Sequence, residues 1–247
     1  MLQRGFNVNH PDQDQNKPSP TPETGDLEPS DRPRFLVTAG PTWEPIDQVR
    51  YLGNRSSGQM GVAIAEAAAA LNSKTTLLRG PGTVEPRISP NLQDVRFESA
   101  ADLDMELNTR WPAHDILIMA AAVADFRPTA SPEGTKKFRR GDSLTKIDLS
   151  PVPDLVGGLA RSEQPGQLRI GFALEPASEL ESAARRKLQQ KQLAGIVANP
   201  LETMDSKEID GFLLLADGSI HRAADQPIPK PAFAEWLVSR AIALFAS

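Results

Sequence analysis

The stretch Phe35-Leu-Val-Thr-Ala-Gly-Pro41 decides the fold, because it opens a repeating pattern of short apolar strands and helices. Its apolar run ends at a Gly-Pro pair, which predicts a short buried strand followed by a turn. An alanine-rich segment over about 59–71 has apolar residues on nearly every face. It therefore predicts a buried helix, with Ser56 or Ser57 as its N-cap.

The same alternation continues along the chain. The predicted strands cover 75–78, 95–97, 115–119, 169–174 and 195–198. One predicted helix begins at a capping box formed by Ser99 and Asp102 and ends near residue 110, and another covers 178–192. Strands that alternate with helices in this way predict an α/β fold: a three-layer sandwich whose central sheet is mostly parallel, with helices on both faces.

Two excursions interrupt this pattern. Residues 126–150 show no helical periodicity, carry several basic side chains and end in an alternating stretch over 144–149, so we predict a β flap. Residues 211–222 predict a hairpin around Asp217-Gly218, and a last helix is predicted to start near Pro231.

Composition excludes several classes of protein. The chain has 247 residues, no cysteine, three histidines and a formal charge of -5. Disulfide frameworks, thiol nucleophiles and cysteine-ligated metals are therefore excluded, and a nucleic-acid-binding surface or a multi-histidine metal site is disfavoured. No apolar run approaches the roughly 20 residues that span a bilayer, so we expect a soluble cytoplasmic protein without a membrane partner.

The first 33 residues differ in composition from the rest. They hold six prolines and few apolar side chains, and such a segment cannot bury enough surface to offset the entropy of ordering it. We therefore predict a disordered tail over 1–33 and one folded domain over 34–247. The folded domain carries a net charge of only -2, because three basic and six acidic residues lie in the tail.

The segment that follows the first strand offers groups that bind anions. Residues 54–61 combine an amide, two hydroxyls, an unhindered backbone at Gly58 and a predicted helix N-terminus. An ordinary capped helix is the alternative interpretation. Arg50 and Asn54, four residues apart, could hold a carboxylate or phosphate, although a surface ion pair and a turn asparagine explain them equally well.

Two later segments also suggest a ligand site. Small residues from Ala120 lead to Asp125, which could accept from a sugar hydroxyl or hold a metal ion, or could simply cap a turn. On the helix over 178–192, Lys187 and Lys191 fall on the same face as the inward apolar stripe. These cations indicate a polyphosphate or other anion, whereas lysines that extend to solvent along the apolar surface are the alternative.

Taken together, the segments resemble the phosphopantothenate-cysteine ligase family, the synthetase domain of bacterial coenzyme A biosynthesis. The resemblance covers nearly all of residues 34–245 and keeps the family's order. Its motifs are Thr38-Ala-Gly-Pro-Thr42 with Glu44 and Asp47, Val49-Arg-Tyr51, Asn54 with Ser56-Ser-Gly58 and Met60-Gly61, Ala120-Ala-Ala-Val-Ala-Asp125, Pro153-Asp154, Gly171-Phe172 with Glu175, Lys187, Lys191, and Val197-Ala-Asn199.

The resemblance implies a Rossmann-like homodimer that uses Mg²⁺ and CTP, with ATP as the alternative nucleotide. Such an enzyme converts the carboxylate of 4'-phosphopantothenate into an acyl-cytidylate, which the amino group of cysteine attacks. The family's motifs imply catalytic roles for Asn54 and Arg50. They imply a nucleotide site formed by Gly40, Ser57, Gly58, Ala120, Ala121, Asp125, Pro153, Asp154, Leu155, Val156, Phe172, Lys187 and Lys191, with the two lysines on the phosphates. The metal ligands are open, apart from Asp125 as a candidate.

The chain departs from the family pattern in two places. The family's flap usually carries a lysine where Gly134 stands. We expect Lys136, with Lys137 as the alternative, to replace it in forming the acyl-cytidylate; otherwise this first step is impaired. Bacterial members are commonly fused to a flavin-dependent decarboxylase, whereas this sequence has only the proline-rich tail at that place. We therefore expect no flavin on this chain and a separate decarboxylase polypeptide. The alternatives are a catalytically impaired nucleotide-binding homologue and, less favoured, an NAD(P)-dependent Rossmann-like oxidoreductase.

Overall fold

A computed structural model describes residues 32–129, 146–204 and 206–247. The predicted disordered tail therefore lies outside the described residues, except for Arg32 and Pro33. Pro33 is buried, and Nη1 of Arg32 donates to the carbonyl of Leu71 at 2.5 Å. These two residues already pack on the folded domain.

The secondary structure follows the predicted alternation. The strands are β1 (Phe35–Ala39), β2 (Trp43–Pro45), β3 (Tyr51–Gly53), β4 (Thr75–Arg79), β5 (Leu92–Arg96), β6 (Ile116–Met119), β7 (Phe126–Pro128), β8 (Leu149–Pro151), β9 (Leu168–Glu175), β10 (Gly195–Pro200), β11 (Glu208–Ile209), β12 (Phe212–Leu215), β13 (Ile220–Arg222) and β14 (Ile228–Pro229). The α-helices are α1 (Gln59–Ala70), α2 (Ala100–Arg110), α3 (Leu155–Gly158), α4 (Leu180–Gln190) and α5 (Lys230–Phe245).

Eight of these strands form one central sheet in the order β13-β12-β10-β9-β6-β1-β4-β5. The six strands from β10 to β5 are parallel, and the β12–β13 hairpin adds two antiparallel strands at one edge. Parallel strands need crossover connections, and the helices of these connections cover the sheet. The predicted mostly parallel α/β sheet is therefore confirmed.

The two faces of the sheet bury two separate clusters of apolar side chains. Phe35 and Val37 of β1 pack on one face with α1 and α5, whereas Leu36 points to the other face with α2, α3 and α4. Alternate residues of a strand point to opposite faces, so a continuous apolar strand serves both clusters. The structure is thus the expected three-layer sandwich.

Two local predictions are wrong. The N-cap of α1 is Gly58 in the left-handed region and not Ser56 or Ser57, and no side chain caps the helix. The flap strand begins at Leu149, so residues 146–148 are not extended strand; β8 pairs antiparallel with β7, and 130–145 lie outside the described residues. His114, just before β6, is half-buried, and both of its ring nitrogens are hydrogen-bonded.

Candidate active site

A cavity of about 810 Å³ lies at the carboxyl ends of the central strands. This edge is where ligands bind in open parallel sheets, and the volume suits a small-molecule site. The N-terminus of α1, the segment after β6, the loop into α3, the end of β9 and the lysine face of α4 form its walls. Of the predicted site residues, it brings together Asn54, Ser57, Gly58, Ala120, Ala121, Asp125, Pro153, Asp154, Leu155, Val156, Phe172, Lys187 and Lys191.

The start of α1 forms one wall of the cavity and is open to an anion. Gly58 has φ of 68°, a backbone conformation that other residues rarely adopt, and a Cβ added there would lie 2.2 Å from Cγ2 of Thr83. Both the backbone conformation and the lack of space therefore require glycine at this position. Because no side chain caps α1, the N–H groups of its first turn are available to a ligand. The absence of a side-chain cap therefore favours the predicted anion-binding role of residues 54–61.

Gly40 contributes to packing and does not line the cavity. It has φ of 85°, and a Cβ there would lie 1.7 Å from Oγ1 of the same Thr83. Its carbonyl accepts from the amide of Ala122 at 2.9 Å. Gly40 thus supports the cavity wall from behind, and its predicted contact with the nucleotide stays a prediction.

The alanine-rich wall is held in place by two buried threonines that the sequence interpretation left without a role. Oγ1 of Thr38 accepts from the amide of Ala121, and Oγ1 of Thr42 accepts from the amide of Ala124, both at 3.0 Å. Both threonines are fully buried. The available signal was a pair of hydroxyls within an apolar strand and its turn, where a buried hydroxyl needs a partner.

Asn54 and Arg50 separate in the structure. Asn54 lines the cavity, and its Nδ2 donates to the carbonyl of Val123 at 2.9 Å. Arg50 does not line the cavity; its Nη2 lies 2.6 Å from Oδ2 of Asp47, in the loop that joins β2 to β3. Arg50 therefore forms an ion pair, as its alternative interpretation proposed. Because it does not line the cavity of a single chain, the structure does not support its predicted catalytic role.

Lys187 on α4 and Lys191, the C-cap of this helix, both reach the cavity and both are ion-paired. Nζ of Lys187 lies 2.7 Å from Oε1 of Glu175, and Nζ of Lys191 lies 2.8 Å from Oδ1 of Asp154. Each lysine side chain is about one-third exposed, at 32% and 30%. The ammonium groups therefore remain within reach of a ligand, and a polyphosphate could take the place of the carboxylates.

The remaining predicted residues supply surface for a nucleoside. Asp154 caps α3 by accepting from the amide of Gly157 at 3.2 Å, while Leu155 and Val156 are buried at the cavity floor. Phe172 is half-buried and Asp125 is exposed, and both line the cavity. An aromatic face beside an open carboxylate suits a base and a ribose.

Sequence reasoning missed other residues that line the cavity. Arg55 is exposed there, and its side chain forms no ion pair or hydrogen bond within the described residues. Lys230, at the start of α5, reaches the same cavity from a distant part of the sequence. Arg55 adjoins a quoted motif and could have been found, whereas nothing in the sequence connects Lys230 to this site.

Lys136 and Gly134 lie outside the described residues, so the prediction that Lys136 replaces the family's flap lysine is untested. Among residues 32–129, 146–204 and 206–247, no group of three or more His, Asp or Glu side chains could hold a metal ion on its own. In the same ranges, no helix has both the length and the apolarity needed to cross a bilayer.

Comparison with known proteins gives the family. Residues 31–244 match the model of the DNA/pantothenate metabolism flavoprotein C-terminal domain. The chain belongs to this family. It is 41% identical over 167 residues to the coenzyme A biosynthesis bifunctional protein CoaBC of Vibrio cholerae, which covers 67% of this chain and 41% of that protein.

Two further relatives place this match in context. A cysteine/cysteine sulfinic acid decarboxylase from an unknown prokaryotic organism is 42% identical over 169 residues, covering 68% of this chain and 46% of that protein. The crystal structure of the C-terminal domain of coenzyme A biosynthesis bifunctional protein CoaBC is 32% identical, with a TM-score of 0.67 over 84% of this chain and 93% of that one. The chain therefore spans less than half the length of these two full-length relatives but nearly all of a solved C-terminal domain.

Proposed function

We propose that this chain joins 4'-phosphopantothenate to cysteine through an acyl-cytidylate formed from CTP. One observation carries the proposal: a single cavity collects the uncapped start of α1, Asn54, Asp125 and the lysines of α4. The match to the C-terminal half of CoaBC supports the same reaction, since that protein acts in coenzyme A biosynthesis.

The proposed reaction has two steps. In the first, a carboxylate oxygen of phosphopantothenate attacks the α-phosphorus of CTP, and the bond to pyrophosphate breaks. Lys187 and Lys191 hold the phosphates, and the start of α1 supplies N–H groups to the same anion. In the second, the cysteine amine attacks the acyl carbon, CMP leaves with the electron pair of the broken C–O bond, and the amine loses a proton.

Asn54 is placed to orient the acyl group. Its Nδ2 donates to the Val123 carbonyl at 2.9 Å, which fixes the amide at the rim of the alanine-rich wall. An amide at this point can donate to the oxygen on which charge develops when the amine attacks. In this proposal Lys136, which follows β7 in the sequence, assists the first step.

The cavity also fits a magnesium ion bound together with the nucleotide. Mg²⁺ in such sites commonly takes one or two protein carboxylates and completes its coordination with phosphate oxygens and water. Asp125 is an exposed carboxylate on the cavity wall and would hold the ion. When bound, the metal neutralises the charge of the triphosphate and so makes pyrophosphate a better leaving group.

We further propose that the active form is a homodimer. The hairpin β2–β3 exposes three apolar side chains, Val49, Tyr51 and Leu52, which are 59%, 48% and 37% exposed. Exposed apolar residues close together on one hairpin suit contact with a second copy. Light scattering is expected to give twice the chain mass, and a monomer would contradict this part of the proposal. The cytoplasmic location and the separate decarboxylase polypeptide stay predictions.

One assay tests the reaction. The protein is incubated with phosphopantothenate, cysteine, Mg²⁺ and either CTP or ATP, while pyrophosphate release and product mass are followed. We expect CTP-dependent product, and Asn54→Ala should reduce its rate by about 100-fold without changing the melting temperature. Nucleotide binding without the release of pyrophosphate would instead indicate a catalytically impaired homologue, and binding of NAD(P)H alone would indicate an oxidoreductase.

A further inference from the structure

Arg169 is the only fully buried arginine among the described residues, and it is hydrogen-bonded to the backbone of Val156 and Lys191, which line the proposed nucleotide site. It sits on β9, and its side chain has no exposed surface. An arginine costs free energy to bury unless its charge is paired and its donors are satisfied. A fully buried arginine near the amino end of β9 therefore needs a specific set of partners.

All five N–H groups of this guanidinium find acceptors. Nε and Nη2 donate to Oε2 of Glu163 at 3.1 and 2.7 Å. Nη1 donates to the carbonyls of Val156 at 2.8 Å and Lys191 at 3.0 Å, and Nη2 also donates to the carbonyl of Gln192 at 2.8 Å. This number uses the whole donor capacity of an arginine side chain.

The three carbonyl acceptors belong to the two segments that carry the proposed nucleotide contacts. Val156 ends the run that begins at Pro153, and Lys191 ends the lysine face of α4. On the cavity side, Nζ of Lys191 is bonded to Asp154. The two segments are thus joined once at the surface by an exchangeable ion pair and once below it by a buried arginine.

We propose that Arg169 is a positioning residue that fixes the spacing between the loop into α3 and the C-terminal end of α4, and thereby sets the affinity for the nucleotide. The inference rests on the proposed function, because it assumes that both segments bind the nucleotide. Arg169 itself does not line the cavity and touches no substrate. A ligand that displaces Asp154 from Lys191 breaks the surface connection, and the buried connection then keeps the lysine in place.

The test replaces the side chain and separates nucleotide binding from stability. In Arg169→Met, the KM for CTP is expected to rise about tenfold while the KM for phosphopantothenate stays within twofold. Arg169→Lys retains the charge but has only three donors, so it should restore little of the affinity. Glu163→Gln, which leaves the three carbonyl contacts intact, is the milder variant should the others fail to fold, and it should shift the CTP KM in the same direction by less.

Leu107→Ala is the matched control for lost stability. Leu107 is fully buried on α2 and packs in the apolar cluster that also contains Val156 and Leu188, but it does not line the cavity. It should lower the melting temperature without changing the KM for CTP. If Arg169→Met and Leu107→Ala lower the melting temperature alike and neither changes that KM, Arg169 is only structural and the inference is overturned.

Amide hydrogen exchange in the nucleotide-free protein distinguishes this inference from the proposed function. Faster exchange in Arg169→Met, confined to residues 153–158 and 188–193, supports the coupling of the two segments. Uniformly faster exchange or no change in these segments overturns it. If the wild-type protein forms no product and binds neither CTP nor ATP, the proposed function fails, and with it the effect on affinity, while the exchange data still decide whether Arg169 couples the segments.

Discussion

The two edges of the central sheet use their polar side chains in opposite ways. At the amino edge, Arg34 donates to both carboxylate oxygens of Asp115, at 2.9 and 2.8 Å, and His114 bonds to the Arg110 carbonyl and the Thr76 hydroxyl. At the carboxyl edge, α1 has no side-chain cap and the α4 lysines hold carboxylates that a ligand could replace.

This difference separates stability from binding. At the amino edge, these polar groups hydrogen-bond to one another and so stabilise the fold, and they do not need a ligand as a partner. Groups that line the cavity are held in position by neighbours such as Thr38, Thr42 and Arg169, yet they offer a ligand donors that are uncapped or whose present partners it can replace. Substitutions at the two edges should therefore affect different measurements.

Between these two edges, the larger effect is expected at the carboxyl edge. Lys187→Ala should raise the KM for CTP about tenfold, because it removes a charge-assisted contact to a phosphate. Arg185→Ala is the matched control: it removes one cation from the same helix, but Arg185 points outward and pairs with Glu181 at 2.8 Å. Steady-state kinetics at saturating phosphopantothenate and cysteine give the comparison. Equal effects of the two variants would mean that general charge, rather than a contact in the cavity, controls affinity.

A smaller effect, on stability alone, is expected at the amino edge. Asp115→Ala should lower the free energy of unfolding by about 2 kcal/mol, since it leaves the backbone amide and the guanidinium of Arg34 without their acceptor. Urea denaturation measures the loss. Asp104→Ala, which removes an exposed carboxylate from α2, should change it by about 0.5 kcal/mol or less. A loss of ligase activity at full stability in Asp115→Ala would break the separation of the edges.

The sequence predicts the sheet because its signals are local. Apolar runs such as 35–38 and 115–119 and the capping box at Ser99 need only neighbouring residues, and the structure contains each of them close to the expected bounds. The wrong N-cap at α1 has a non-local cause. Thr83, on the loop after β4, leaves room only for glycine at positions 40 and 58 and so sets the start of the helix.

The candidate site was predictable where adjacent residues form a motif and not where distant residues meet. Asn54, Asp125, Lys187 and Lys191 were found by motif position and helical periodicity, and all line one cavity. Arg169 gave no such signal, because its acceptors are mostly backbone carbonyls 13 to 23 residues away, whose identity is not encoded by side-chain type. Lys230 likewise reaches the cavity only through the path of α5.

The smallest expected effect concerns pH, and it again separates the edges. Burial lowers the pKa of His114, and the positive charge of Arg34 adds to this, although the hydrogen bond to the Arg110 carbonyl opposes it. The folded protein therefore binds this proton less readily than the unfolded chain. Stability from this group is present above the unfolded value of 6.5 and is lost as the pH falls below it, by no more than about 1.4 kcal/mol per pH unit for a single site.

Replacing His114 isolates this contribution from those of other titrating groups. His114→Gln cannot take up the proton, so its stability should fall less between pH 7 and 5.5 than that of the wild type, as measured by urea denaturation at each pH. Asp115 does not interfere in this range. Burial favours its protonated form, but the hydrogen bonds from Arg34 outweigh burial and lower its pKa below the ordinary 3.8. If both proteins lost stability in parallel, the proton would be taken up elsewhere, and His114 would not be the pH-sensitive group of the amino edge.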